Sequence, residues 1–157
     1  MGNAAATEMS ARGEHNVGQL CRTKFGRGVY IVGFGTDHGT VGAASNWDEP
    51  MKRMDVRPAH ASSYERVFHE SGIRAFTLNL REPVRRVVRD ELEQPRLERA
   101  IGVVYRPETE LASHYFQASL PHQFDEYIWF DETRAVQPLV ATIRPSAELP
   151  DTYPFGS

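Results

Sequence analysis

Residues 29–45 read VYIVGFGTDHGTVGAAS, and how this stretch is taken decides the fold. Val29 to Phe34 is short, β-branched and aromatic, the composition of a buried strand. Gly, Thr, Asp and Ser then take over, with Pro50 and Pro58 further on, so 35–62 reads as a long excursion over the surface. A buried strand running into a polar loop is the repeating step of an α/β sheet, whose ligand sites collect beyond the carboxyl ends of strands.

The flanking segments extend that pattern. Upstream, Val17, Leu20, Cys21 and Phe25 recur at helical spacing and Gly26 sits at the helix C-cap, which predicts a helix over 14–25 with these residues on its buried stripe. Downstream, Ser62 or Ser63 caps a helix through YERVFHES, over 62–71, ended by Gly72. IRAFTLNL alternates, with Phe76, Leu78 and Leu80 on one face. Pro83 starts a helix to residue 92 whose stripe is Val84, Val87, Val88 and Leu92. IGVVY reads as a third strand, Leu111 to Leu120 as helical, EYIWF as a fourth strand, and Asp131 as the cap of a last short helix. Together these predict an α/β fold: a mostly parallel sheet of about four strands flanked by helices. Too apolar for an exposed edge, YIWF belongs inside that sheet. Residues 1–139 form the domain, and 140–157 a proline-rich tail.

Bulk composition narrows the function classes. The chain has 157 residues, 40% hydrophobic and 25% charged, with Lys+Arg 18 against Asp+Glu 21 and a net charge of −3. That is ordinary for one soluble domain and far from the basic surface of a nucleic-acid binder. No apolar run spans a membrane, no leader of secretory type opens the chain, and one cysteine suits a reducing, cytoplasmic setting.

The densest candidate site is again the stretch after the first strand. Gly33, Gly35 and Gly39 invite a phosphate-loop reading, but that motif needs its last glycine to open a helix, and TVGAASNWDEP starts none. Thr36, Asp37 and His38 carry more chemistry. A histidine moves protons near neutral pH and a carboxylate fixes its tautomer. Neighbouring side chains on an extended chain diverge, so each needs a partner elsewhere; the plain alternative is a turn held by Asp37 with His38 exposed. Glu8, between a small-residue loop and the first helix, is either a catalytic or substrate-orienting carboxylate or a solvated charge. Cys21 reads as core filling, and His15, His60 and His69 as surface residues. The spacing of His114, His122 and Asp125 fits no zinc signature, so neither metal nor cofactor is expected.

Three blocks in one order, GNAAATEMSARGEHNVGQLCRTKFG, VYIVGFGTDHGTVGAAS and YFQASLPHQFDEYIWFDETRAVQPL, make residues 2–139 resemble the C-terminal half of the erythromycin esterase family. The resemblance implies half of a larger α/β hydrolase-type domain and metal-independent, water-mediated hydrolysis of small-molecule esters, macrolides among them. It matches Glu8 to the glutamate of the TEM block on the active-site side, and sets Thr36 to Gly39 in a loop on the substrate side. It also implies a histidine-containing HNxH motif just before the position of Met1, so this chain is expected to be a fragment inactive by itself. Glu8 and the Thr36–His38 loop are expected to meet at one sheet edge, and an open edge to promote self-association. A non-catalytic binding domain is the alternative; a nucleotide-binding domain is a third.

Overall fold

The computed structural model describes residues 2–81 and 86–137. Two short 3-10 turns, Ala4–Ala6 and Glu8–Arg12, lead into α1 (Val17–Phe25). Asn16 caps α1 by accepting the Gln19 amide at 2.9 Å, and Gly26 closes it with a φ of 54°. β1 (Val32–Ala43), β2 (Lys52–Val56), α2 (Tyr64–Glu70), β3 (Ala75–Asn79) and α3 (Arg86–Glu93) follow. β4 (Arg96–Arg99), α4 (Glu110–Ser113), β5 (Tyr115–Ala118), α5 (Leu120–Gln123) and β6 (Glu126–Thr133) complete the order. Residues 140–157, and the expected helix start at Pro83 with Val84, lie outside the described residues. No helix among the described residues is long and apolar enough to cross a membrane.

The main sheet has four strands in the order β2-β1-β6-β3. It is α/β as expected, but not mostly parallel: β1–β6 is its one parallel pair, while β1–β2 and β3–β6 are antiparallel. The reason lies in the connections, since residues 44–51 between β1 and β2 are too few for the crossover a parallel neighbour requires. β4 and β5 form a separate antiparallel ribbon. As expected, β6 lies inside the sheet.

Several elements depart from the sequence reading. The supposed loop after Phe34 is strand: β1 continues to Ala43 and changes neighbour midway, from β6 to β2. Its glycines are there for packing as well as turning. A Cβ on Gly33 would stand 2.7 Å from the Tyr127 ring, and one on Gly35 would strike the Tyr127 hydroxyl. Ile101 to Tyr105 is not a strand; Val104 makes a single bridge to Ala44 and Val103 is exposed. Residues 115–118 are strand rather than helix, and Asp131 sits within β6 rather than capping a helix.

Where an apolar face meets the sheet, the reading holds. α2 has Ser63 as its cap and lays Phe68 across Tyr127, Trp129 and Phe76, with ring centroids 5.6, 5.5 and 5.4 Å apart. Ile31, Leu80, Leu92, Leu120 and Phe124 complete the core around the buried Tyr64. The Tyr64 hydroxyl accepts the Leu120 amide and lies beside the Leu92, Gln94 and Ala118 carbonyls. The stripe of α1 is a correction: Val17, Leu20 and Phe25 are all exposed. α1 is held through its polar side instead, by Arg22 on the Asp125 carboxylate at 2.6 Å. On α3, Val87 and Val88 are exposed and Leu92 alone is core.

Candidate functional site

Asp37 and Asp131 fall level in the parallel ladder, between the partners Thr36–Phe130 and His38–Glu132. Level residues of neighbouring strands share a face, so both carboxyls lie on the side covered by α2. There α2 contributes His69. His69 Nδ1 is 2.6 Å from Asp131 Oδ1 and 3.7 Å from Asp37 Oδ2. His38 Nδ1 is 3.0 Å from the same Asp37 oxygen. The two imidazoles stand edge to face, centroids 6.0 Å apart. Asp37 is 2% exposed, whereas the side chains of His38 and His69 are 40% and 34% exposed. One buried carboxylate thus serves two accessible imidazoles.

The expectation that Asp37 and His38 diverge is overturned, and the backbone shows why. Thr36 Oγ1 donates to the His38 carbonyl at 3.0 Å, and Gly39 takes a φ of 125° that brings its backbone against Thr133. β1 therefore loses its regular pleat at His38, and the imidazole folds back onto Asp37. The other Asp37 oxygen, Oδ1, accepts the Ala59 amide at 3.2 Å and faces Arg66 Nη2 at 3.6 Å. From the open edge of β1, Arg99 donates to the carbonyls of Thr36 and Asp37 and pairs with Glu110 at 3.2 Å. His38 itself borders an open cleft of about 750 Å³, with Arg53, Asp55, Glu132 and Arg134 around it.

A second cavity, of about 580 Å³, lies beside Val32–Phe34. Its walls include Met9, Phe116, Ile101 and Phe124, with the buried Glu98 and Gln123 among them. Burial, reinforced by the nearby Glu65 carboxylate, pushes the Glu98 carboxyl well above its ordinary range. Burial raises Glu65 as well, against the Arg99 amide that donates to it.

Thr36, Asp37 and His38 are thus gathered in one place, and Glu8 is not with them. Glu8 is solvent-facing and paired with Arg12 at 3.1 Å. Its neighbours Thr7 and Met9 line the cavity beside Val32–Phe34, and His38 lies roughly 13 Å further along β1 at the rise of a strand. The sequence does not mark His69 and Asp131 as site residues: one reads as a surface residue and the other as a helix cap. A signal for Asp131 was present: in EYIWFDE, alternation puts it on the face of Tyr127 and Trp129. Glu98, inside the charged run RLER, carried no apolar pattern to mark it as buried.

Comparison with known proteins bears on most of the chain. The family model described as Erythromycin esterase matches residues 1–133. Among solved structures, a Bacillus cereus protein is similar at 17% identity with a TM-score of 0.67, over 84% of this chain and 32% of that one. A second, described as a succinoglycan biosynthesis protein, is similar at 17% identity with a TM-score of 0.63, over 82% of this chain and 30% of that one. At this identity the likeness is one of fold. The chain spans about a third of the length of either structure.

Proposed function

Because the chain belongs to the erythromycin esterase family, we propose that it forms part of a hydrolase that cleaves carboxylic esters with water as nucleophile, macrolide lactones among its substrates and the response to such antibiotics its setting. The observation that carries this chain's share is the 3.0 Å bond between His38 Nδ1 and the buried Asp37 carboxylate, at the mouth of an open cleft. Asp37 holds the proton on Nδ1, which leaves the Nε2 lone pair to take a proton from water as its oxygen bonds to the acyl carbon. The imidazolium so formed is stabilised by Asp37 and returns the proton to the departing alkoxide as the ester C–O bond breaks. Thr36 stands on the substrate side beside His38, the buried Asp37 acts through the imidazole, and Glu8, turned to solvent on Arg12, takes no part at this end of β1. The single cysteine goes with a reducing, cytoplasmic setting.

Residues 1–157 span about a third of the similar solved structures, and this part alone is expected not to hydrolyse aryl esters or erythromycin. The test is a chimera in which residues 1–157 replace the matching third of a macrolide-cleaving member of the family. His38→Ala in that chimera is expected to lower kcat by about 10²–10⁴ with the fold intact by circular dichroism. Unchanged turnover overturns the role of His38, and turnover by residues 1–157 alone places the whole chemistry in this chain. The cavity beside Val32–Phe34 favours one alternative, a ligand-binding domain without turnover. In that case the chain binds erythromycin and the folded chimera does not cleave it.

A further inference from the structure

The geometry points to a second capacity at the same place: Asp37, His38 and His69 form a binding site for one divalent transition-metal ion of the zinc class. Two imidazoles and one carboxylate are a borderline nitrogen–oxygen donor set, suited to zinc, cobalt or nickel rather than to magnesium or calcium, and they leave a fourth position for water. For bonds of about 2.0–2.1 Å, the edge of a tetrahedron of ligands is about 3.3 Å. The edges from Asp37 Oδ2, 3.0 Å to His38 Nδ1 and 3.7 Å to His69 Nδ1, bracket that value. One ligand atom from each of these three residues lies within 4.8 Å of the other two.

The ligands are held before any ion arrives. Asp37 and His38 come from β1 and His69 from α2. The Ala59 amide and Arg66 occupy Asp37 Oδ1, which orients Oδ2 towards both imidazoles. Such outer contacts fix the direction of a ligand lone pair. Arg66 opposes a cation electrostatically, but its Nη2 donates to the Ala59 carbonyl at 2.8 Å and lies on the far side of the carboxylate. The exposure of both histidines gives an ion a way in. No step of the proposed hydrolysis is assigned to the ion, and the site stands on these distances whether or not the chain takes part in ester cleavage.

Isothermal titration of the whole chain with zinc, and the visible absorption of four-coordinate cobalt(II), test the assignment without reference to turnover. One equivalent is expected to bind. His38→Ala and His69→Ala should each weaken binding at least tenfold, and His15→Ala, at a remote exposed histidine, should leave it unchanged. Each variant is checked for its fold by circular dichroism, and because Asp37 is buried the histidine variants decide. The absence of saturable binding overturns the proposal, as does one-to-one binding that survives both histidine variants.

Discussion

Glu98 is an acid kept out of water, and its proton makes stability depend on pH. Burial and the Glu65 carboxylate raise it well above its ordinary value of 4.5, so the folded chain holds this proton to a higher pH than the unfolded chain does. The stabilisation is complete below the ordinary value and is lost as pH rises through the raised one. Asp125 works in the opposite sense. Burial pulls it up, but hydrogen bonds from Arg81, Arg22 and the Ile31 amide outweigh burial and hold it low. Its contribution is present above the ordinary carboxylate value and lost as pH falls through the lowered one. Glu98→Gln is therefore expected to flatten the alkaline side alone. Urea midpoints at about pH 5 and about pH 8 check this: the wild-type midpoint should fall between them, and the variant's should fall less. Parallel profiles for the two proteins would assign the alkaline loss to another group.

α2 carries His69 and also covers Tyr127 and Trp129, so its anchoring matters to both site and core. Ser63, fully buried, caps it by accepting the Arg66 amide at 3.2 Å. Ser63→Ala is expected to cost about 1 kcal/mol, read as a lowered urea midpoint with unchanged slope. An unaltered midpoint would mean that packing of Phe68, and not the cap, holds the helix. This helix was legible because its signals agree: a capping serine, an apolar residue over the sheet, and Gly72 after the end. β3 and β6 were legible from alternation and aromatic content. β1 beyond Phe34 was not, because its glycines stand where Tyr127 and backbone crowd the strand, and composition alone cannot separate such glycines from turn glycines. β4 hid for the converse reason: RLER looks like a solvated face until Glu98 and Arg99 find buried partners elsewhere in the chain. The candidate site divided the same way. Asp37 and His38 stood out as neighbours, whereas His69 and Asp131 reach them only through the packing of α2 on the ladder between β1 and β6.

Among the described residues, the main sheet has one face covered by α2 and one open face. α2 lies over Tyr127, Trp129 and Asp131, while on the opposite side Phe34 and Phe130 are 66% and 45% exposed. β2 and β3 stand at the sheet edges, and β1 pairs with β2 only from Gly39 onward. An apolar face beside unpaired strand edges favours contact with a second copy. Self-association that grows with concentration is expected in sedimentation velocity, and Phe34→Ser with Phe130→Ser should shift the chain towards monomer. A wild-type monomer at every concentration would count against it. The seam between α2 and the sheet has one more consequence, an optical one. Of the two tryptophans, Trp47 is 71% exposed and Trp129 is fully buried. With Trp47→Phe, ultraviolet emission comes from Trp129 alone, wedged against Phe68 and two positions from Asp131 on the same face. Its colour then gauges whether that seam is dry, and its brightness whether a paramagnetic ion has settled beside it.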